Sequence, residues 1–203
     1  MMPLVYFVRH GQTAWNAEAR LQGQSDVDIN EVGKQQAAAN GRFLATLIPD
    51  ASAFDFVASP MRRTRQTMEI VRTQMGLDPT AYRTDDRLRE LSFGDWQGYT
   101  MAELEVGDPG ANARRMKDKW GFVPPGEGAE SYRMLTQRIA PWLAEVRTDM
   151  VCVTHGGVIR AIFRIAGGLD DEEASTMDTP QDLILRFQDG RLEWLEPTSR
   201  DTA

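Results

Sequence analysis

LVYFVRHG at residues 4–11 decides the fold together with MVCVTHGG at residues 150–157. Each stretch is an apolar, strand-like run that ends in a histidine followed by glycine, and the chain has no histidines other than His10 and His155. In open α/β sheets, a strand that ends in a polar side chain before a glycine turn and a helix places reactive groups beside anion-binding amides. The shared pattern therefore predicts that His10 and His155 form a catalytic pair.

Either histidine taken alone is more often a hydrogen-bonded residue at a strand end than a catalytic group. The pair changes this balance, because two unrelated structural histidines have no reason to share the order of strand, histidine and glycine. Arg9 also brings a permanent positive charge next to His10. A functional interpretation of both histidines is therefore favoured.

Length and composition predict one domain over residues 1–203, long enough to bury a core without disulfides or metals. The one cysteine, Cys152, lies within an apolar strand and is expected to be buried rather than reactive. No amino-terminal stretch has the form of a signal peptide, and no apolar run approaches the roughly 20 residues that cross a bilayer. The sequence therefore predicts a cytoplasmic protein that does not span a membrane.

The formal net charge of −7 argues against broad binding to nucleic acids or to anionic membranes, which need a basic face. Lysine occurs only at Lys34, Lys117 and Lys119, so nearly all cationic side chains are arginines, whose planar forks suit carboxylate and phosphate oxygens. Codon bias accounts for most of this excess. Positive charge is thus expected only in local sites, and the sequence indicates no oligomeric state.

Strand-like and helical patterns alternate along the chain. Asn30 is a candidate cap for the first long helix, Gly76 ends the second, and Pro141 should kink the third or divide it into two. The expected strands are near residues 3–8, 54–58, 81–83 and 150–154, and the expected helices are 31–48, 61–75, 131–147 and a last one to about 166.

The end of the chain reads as a hairpin of strands 183–187 and 192–195, joined by the favoured turn dipeptide Asp189-Gly190. Residues 107–128 have no clear period and belong to a predicted active-site cover over 99–130. The alternation predicts the α/β class, as a three-layer α/β/α sandwich with a mostly parallel central sheet and an antiparallel edge.

His10 has the properties of a nucleophile for phosphorus. Its ordinary pKa near 6.5 leaves the imidazole mostly neutral at pH 7, and Arg9 favours that neutral form. A phosphoryl group carries dispersed negative charge during transfer, so catalysis depends on in-line positioning and on positive groups around its oxygens. Arg9 is one such group, and SPMRRT at residues 59–64 brings arginine to a strand-to-helix junction.

Glu90 is the predicted general acid, because its apolar neighbours Leu88 and Leu91 favour a protonated carboxyl. A surface glutamate paired with Arg87 or Arg89 explains this segment equally well. No metal and no other cofactor is expected, since the sequence lacks a third histidine, a cysteine-rich cluster and any His-x-x-x-His spacing. Several cations in one site are expected to take the place of a metal.

These segments resemble the motifs of the histidine phosphatase superfamily, also called the phosphoglycerate mutase-like family, over nearly the whole chain. Their order makes the resemblance specific, whereas an Arg-His-Gly tripeptide alone is weak. The motifs are RHGQTAWN at 9–16, RLQG at 20–23, GKQQA at 33–37, SPMRRTRQT at 59–67, LRELSFGDWQG at 88–98 and VTHGG at 153–157.

The resemblance implies the fold just described and a catalytic role for five residues. It implies that His10 becomes phosphohistidine, while Arg9, Arg63 and His155 grip the phosphoryl oxygens. It also implies that Glu90 protonates the leaving group and later activates water.

Further residues are assigned by the same resemblance. It makes Arg63 the pocket arginine, whereas Arg62 faces solvent or an entering anion. Asn16 joins the phosphate pocket, Gln22 and Gly23 line the substrate entrance, and Gly156 completes the substrate-binding set. Two departures, DIN at 28–30 where many relatives show Pro-Leu-Thr and Gln97 where many show glutamate, affect helix entry and the rim rather than phosphate chemistry.

Three activities fit this resemblance. The chain lacks a recognisable version of the long proline-rich insertion of cofactor-dependent glycolytic mutases, which favours hydrolysis of a small phosphorylated metabolite through phosphohistidine. Its length and its Pro-Pro-Gly sequence resemble both broad-specificity and alpha-ribazole phosphatases without deciding between them. The alternatives are phosphoryl transfer of the phosphoglycerate mutase type and a non-catalytic phosphate- or protein-binding module, which the intact catalytic set disfavours.

Overall fold

The computed structural model describes residues 3–197, so residues 1–2 and 198–203 of the predicted domain lie outside the described part. The strands are β1 Val5–Arg9, β2 Asp55–Ala58, β3 Arg83–Thr84, β4 Met150–Thr154, β5 Ile184–Gln188 and β6 Arg191–Leu195. They form one sheet in the order β3-β2-β4-β1-β5-β6. The pairs among β1 to β4 are parallel, and the hairpin β5–β6 adds the antiparallel edge that the sequence predicts.

Helices cover both faces of this sheet. The helices are α1 Ala14–Ala17, α2 Glu31–Leu47, α3 Arg62–Gln74, α4 Met101–Gly107, α5 Ala111–Lys117, α6 Tyr132–Glu145, α7 Gly156–Ala166 and α8 Asp171–Thr176. The buried side chains of α2 and α3 fill one core cluster, and those of α6 and α7 fill the other. The predicted three-layer α/β/α sandwich is therefore confirmed.

β1 shows why the sheet is covered on both sides. Tyr6 and Val8 join the core cluster under α2 and α3, while Val5 and Phe7 join the cluster under α6 and α7. A strand buried on both faces reads as a continuous apolar run, as parallel central strands do. Cys152 on β4 is also fully buried, and burial raises the pKa of its thiol, so it is an inert core residue as expected.

Local signals in the sequence account for most element ends. The side chain of Asn30 accepts a hydrogen bond from the N–H of Gly33 at 2.9 Å, which caps α2 as predicted. Gly76 follows α3 with a φ of +72°, a left-handed conformation that favours glycine. Asp189 and Gly190 both have positive φ, at 50° and 76°, as a tight two-residue hairpin turn requires.

The alternative that Pro141 divides its helix is wrong, and one helix lies where the sequence shows no clear period. α6 continues through Pro141 as one helix and is not divided, because Ile139 and Trp142 on either side are buried and hold it to the core. Residues 107–128, whose sequence has no clear period, contain the short helix α5. α5 is too short for its period to show in the sequence. The glycine before it, Gly110, is a loop signal in the sequence, and its φ in the structure is +84°.

A close approach of two backbones joins the end of β1 to the start of α2. A Cβ at Gly11 would lie 2.2 Å from the carbonyl oxygen of Gly33, and a Cβ at Gly33 would lie 2.2 Å from that of Gln12. Both partners are backbone atoms, which cannot move aside as a flexible side chain can. The loop that follows His10 therefore depends on glycine at both positions.

We predict that Gly33→Ala destabilises the protein by about 1–3 kcal/mol, because overpacking outweighs the gain of up to ~1 kcal/mol that alanine brings to a helix. Urea unfolding measures this change. Gly107→Ala is the matched control, since a Cβ there meets nothing within 4 Å. Gly107→Ala should be neutral or slightly stabilising, and equal stability of the two variants would contradict the packing argument.

Candidate active site

The two histidines meet at the carboxyl ends of neighbouring strands. β1 and β4 pair in parallel with Arg9 opposite Thr154, so His10 and His155 follow at the same edge of the sheet. The backbone N–H of His10 donates to the Thr154 carbonyl at 2.9 Å. The ring centroids are 5.3 Å apart, and both residues are buried, with exposures of 3% and 0%. The structure thus brings the predicted pair together.

His10 is held as a neutral imidazole with one nitrogen committed. Its Nδ1 lies 2.8 Å from the carbonyl oxygen of Gly11, and since a carbonyl only accepts, this nitrogen carries the proton. Burial holds the pKa of His10 well below its ordinary value of 6.5, and the charges of Arg63 and Arg9 lower it further. The ring therefore keeps Nε2 as a lone-pair nitrogen at neutral pH.

Arg63, which is fully buried, and Arg9, which is half-buried, are the two cations whose charges act on His10. Nη1 of Arg9 donates to the Thr179 carbonyl at 2.6 Å, while Arg63 donates to the carbonyls of Ser25 at 2.8 Å and Gly23 at 2.7 Å. Within residues 3–197, neither guanidinium has a carboxylate oxygen within 4.0 Å. Carbonyls orient these forks without neutralising them, so both positive charges remain available to an anion.

Burial lowers the pKa of both arginines. The pKa of Arg63 falls to about 10, which leaves Arg63 protonated at pH 7. The Nε atoms of both arginines are buried without a hydrogen-bond partner in the described part of the chain. Such donors are costly unless a ligand satisfies them. Arg62, in contrast, is exposed and pairs with Asp28 at 3.0 Å.

His155 is the N-cap residue of α7. Its Nε2 lies 2.8 Å from Oγ of Ser59, and its Nδ1 is buried without a partner within residues 3–197. Burial, followed by the charge of Arg63, holds the pKa of His155 well below 6.5. The ring is therefore neutral, and Ser59 fixes its orientation. The sequence motif contains Ser59, but only the fold reveals this contact.

Glu90 reaches the same site from an irregular segment after β3. Its Oε2 accepts the N–H of Gly157 at 2.9 Å, and its Oε1 accepts the N–H of Leu91 at 3.0 Å. A Cβ at Gly157 would lie 2.1 Å from Oε1, so this glycine provides the room for the carboxylate. Among the acidic groups, Glu90 does the most to raise the pKa values of Arg9 and Arg63.

Two of the predicted substrate-binding residues, Asn16 on α1 and Gln22, belong to the segment between β1 and α2. Asn16 Oδ1 accepts the N–H of Thr13 at 3.1 Å and an N–H of Gln181 at 3.3 Å. Gln181 in turn donates to the backbone carbonyl of His10 at 2.9 Å. Gln22 is buried and donates to the hydroxyl of Thr13, while its Oε1 has no partner in the described residues.

The two predicted glycines act through their backbones. The carbonyl of Gly23, whose φ is +49°, binds Arg63. A Cβ at Gly156 would lie 2.8 Å from Oγ1 of Thr179 and 3.4 Å from Nε of Arg9, so this position lies beside the Arg9 fork. Thr179 and Gln181 are site residues that the sequence analysis missed, because the segment before β5 carries no motif that marks them.

A second group of cations lies beyond Arg9. Arg160 on α7 donates to the Met177 carbonyl at 2.9 Å, and Arg115 and Lys119 belong to the segment 99–130. Neither Arg115 nor Lys119 has a carboxylate within 4.0 Å among residues 3–197. Burial, followed by the charges of Arg115 and Arg160, lowers the pKa of Lys119 to about 8. We call Arg115, Lys119 and Arg160 the outer cation group.

The described residues contain neither a cluster of metal-binding side chains nor a helix suited to crossing a membrane. No group of three histidine, cysteine or acidic side chains within residues 3–197 is placed to hold a metal ion. No helix in the same range has the length and apolarity that a bilayer crossing requires. A lone-pair imidazole close to two guanidiniums and a carboxylate is an arrangement suited to phosphoryl transfer.

Comparisons with known proteins agree with this class. Residues 5–197 match the model of the histidine phosphatase superfamily, branch 1. A glucosyl-3-phosphoglycerate phosphatase of Mycolicibacterium vanbaalenii is 35% identical over 80% of this chain and 73% of its own. Phosphoglycerate mutase-like protein 4 of Arabidopsis thaliana is 33% identical over 80% of this chain and 70% of its own.

A solved structure agrees as well. A mycobacterial glucosyl-3-phosphoglycerate phosphatase in complex with VO3 superimposes with a TM-score of 0.75 at 28% identity, covering 95% of this chain and 96% of its own. The chain belongs to the histidine phosphatase superfamily. It is an enzyme that acts on phosphorylated metabolites through a phosphohistidine intermediate.

We predict that both histidines stay neutral in the native protein at pH values near 6.5, where an ordinary histidine is half protonated. Because the native pKa values are lowered, the unfolded state binds more protons below pH 6.5, and stability falls as pH decreases through that window. NMR of ¹⁵N-labelled histidine measures this directly, since the chain has two histidines. The urea-unfolded protein is the control, and a native midpoint near 6.5 would contradict the prediction.

Proposed function

We propose that the protein is a phosphomonoester hydrolase in which His10, Arg9, Arg63, Glu90 and His155 are the catalytic residues. The observation that carries this proposal is the state of His10. Its Nδ1 is committed to a backbone carbonyl, and its Nε2 has no partner among the described residues, in a buried setting with lowered pKa. A nitrogen held in this way is ready to attack phosphorus.

In the first step, Nε2 of His10 attacks phosphorus and the bond from phosphorus to the ester oxygen breaks. Glu90, in its protonated form, gives its proton to the departing alkoxide, so phosphohistidine and a free alcohol result. Arg9 and Arg63 bind the non-bridging oxygens, on which negative charge is spread during transfer. Neutral His155 donates through Nδ1 when Ser59 donates to its Nε2.

In the second step, a water molecule attacks the phosphohistidine. The Glu90 carboxylate now accepts a proton from this water, the bond from nitrogen to phosphorus breaks, and inorganic phosphate leaves. His10 regains its lone pair, and Glu90 is protonated for the next cycle. Hydrolysis rather than mutase transfer is proposed because the chain lacks a recognisable form of the long mutase insertion.

The proposed reaction requires no metal. Each guanidinium about 4 Å from a phosphoryl oxygen supplies about 4 kcal/mol of Coulomb attraction at an effective dielectric of 20, before desolvation. Arg9 and Arg63 together supply the positive charge that a metal otherwise provides. We also propose a cytoplasmic location, which suits a chain whose one cysteine is free and buried, and a small metabolite rather than a nucleic acid or a membrane as partner.

We predict that the protein hydrolyses p-nitrophenyl phosphate and retains this activity after exhaustive chelation. His10→Ala should lower kcat by at least about 10³-fold, because it removes the nucleophile. Acid-labile ³²P-phosphate should be trapped on the wild type and not on His10→Ala. Cys152→Ser, at a buried core position on β4 that makes no contact assigned to catalysis, controls for handling.

Three outcomes separate the alternatives. Activity that is lost on chelation and restored by magnesium would contradict the metal-free mechanism. Exchange of phosphate between hydroxyls in the presence of a diphosphorylated primer, without net hydrolysis, would identify a mutase. No release and no labelled histidine would identify a binding module.

The outer cation group supports a more specific substrate class. Arg115, Lys119 and Arg160 add positive charge beyond Arg9, and none of the three has a carboxylate oxygen within 4.0 Å in the described residues. A leaving group with its own anionic group would satisfy them. The relatives include proteins named for phosphoglycerate compounds, which carry a carboxylate near the phosphate. We therefore propose a phosphate ester whose alcohol bears a carboxylate.

We predict that Lys119→Met raises the KM for 3-phosphoglycerate about 10-fold or more, as the loss of a hydrogen bond to a charged group does. The KM for glycerol 3-phosphate, which has a hydroxyl in place of the carboxylate, should change much less. Lys117→Met is the matched control, because Lys117 is exposed on the same segment. Wild-type preference for 3-phosphoglycerate should also fall as pH rises through about 8, where Lys119 loses its charge.

Equal changes in KM for both esters would contradict the proposal that the substrate bears a carboxylate. A wild type that prefers glycerol 3-phosphate would do the same. Neither result would affect the catalytic assignment of His10.

A further inference from the structure

Glu90 lies on a segment without regular secondary structure. It stands between two short 3₁₀ turns, Asp86–Leu88 and Gly94–Trp96, and no strand pairing fixes residues 89–93. A general acid must nevertheless lie within hydrogen-bond distance of the oxygen that it protonates. Other groups must therefore hold this backbone in place.

Arg138 binds the chain just before Glu90. It lies on α6 and projects one nitrogen, Nη1, to the carbonyls of Arg87 at 2.5 Å and Arg89 at 2.9 Å. One charged donor thus joins the two carbonyls that precede the acid. Charge-assisted hydrogen bonds of this kind are shorter and stronger than neutral ones.

Glu130 binds both Arg138 and the chain just after Glu90. Its Oε2 accepts from Nη2 of Arg138 at 2.8 Å and from the backbone N–H of Ser92 at 3.2 Å. Its own backbone N–H donates to the Ser92 carbonyl at 2.9 Å. The two side chains are mostly buried, with exposures of 17% and 21%, so solvent screens this pair less than a surface ion pair.

A third contact fixes Glu90 itself. Gln24 donates from Nε2 to the Glu90 carbonyl at 3.0 Å, and the same nitrogen lies 3.4 Å from Oε2 of Glu130. Arg138, Gln24 and Glu130 therefore hold the backbone at residues 87, 89, 90 and 92, and the first two side chains both meet Glu130. No atom of Glu130 is in contact with His10, Arg9 or Arg63 through a hydrogen bond in the described structure.

We propose that Glu130 and Arg138 are positioning residues for the general acid, which hold the segment 87–92 so that the Glu90 carboxylate reaches the leaving-group oxygen. This inference rests on the proposed function, in which Glu90 donates the proton. The pair acts through the fork of Arg138, because one guanidinium serves two carbonyls and one carboxylate at once. A lysine, with a single charged nitrogen, cannot reproduce this arrangement.

The first test measures kcat/KM for a series of phosphate monoesters whose leaving groups differ in pKa. Arg138→Met should lower the rate for an alkyl phosphate by about 10²-fold, as loss of general-acid catalysis does, and leave p-nitrophenyl phosphate within a few-fold of the wild type. Glu130→Gln should likewise lower kcat/KM for the alkyl phosphate more than kcat/KM for p-nitrophenyl phosphate. Arg138→Lys should lie between wild type and Arg138→Met.

The double variant Arg138→Met with Glu90→Gln separates positioning from general damage. If Arg138 acts through Glu90, the double variant loses no more activity on alkyl phosphates than Glu90→Gln alone. Losses that multiply, or a loss equal for all leaving groups, would overturn the inference. Arg186→Met, which breaks an exposed ion pair with Glu193 on the hairpin, is the control and should leave the series unchanged.

Hydrogen exchange tests the same inference without activity. Arg138→Met should speed amide exchange in peptides that cover residues 86–93 and leave the hairpin 184–195 unchanged. Unchanged exchange at 86–93 would overturn the proposal, as would unfolding of the whole chain by both Arg138→Met and Arg138→Lys. A wild type without hydrolysis of any ester would instead contradict the proposed function, so the two failures are distinguishable.

Discussion

The parallel pairing of β1 with β4 places the whole site, because it brings two strand ends to the same height at one edge of the sheet. Arg9 lies opposite Thr154, and the hydrogen bond from His10 N–H to the Thr154 carbonyl continues the ladder by one residue. The two imidazoles then stand 5.3 Å apart without a bond between them. A slip of one residue would exchange the side chains that fill the two core layers and carry His10 out of the site. Core packing and catalytic geometry are thus one constraint.

Holding two arginines beside two buried imidazoles opposes folding. Burial lowers the pKa of Arg9 and Arg63, and the carbonyls of Ser25, Gly23 and Thr179 orient the guanidiniums without neutralising them. The free energy of desolvating these charges opposes folding rather than binding, so in the proposed reaction the phosphoryl group would meet donors that are already oriented. The buried Nε atoms of both arginines, which have no hydrogen-bond partner among the described residues, contribute to this unfavourable free energy.

The sequence predicts what is local and periodic in this protein. The strand runs before His10 and His155 and the Asn30 cap are read from neighbouring residues, and the fold confirms them. α8 was missed although its Asp170 and Glu173 form a capping box, because the helix has only six residues. The long-range contacts of Thr179 with Arg9 and of Gln181 with His10 have no local signal. Such contacts depend on how separate elements meet, which periodicity does not encode.

Charge distribution explains why an acidic chain suits a small anion. The net charge of −7 opposes the approach of a polyanion, whose many phosphates would be repelled by the chain as a whole. A small dianion meets this repulsion only at short range, since the Debye length is about 8 Å at physiological ionic strength. Arg63 is fully buried and Arg9 is half-buried, so both escape much of that screening. Selection of a small phosphorylated molecule thus follows from where the positive charge lies rather than from its total amount.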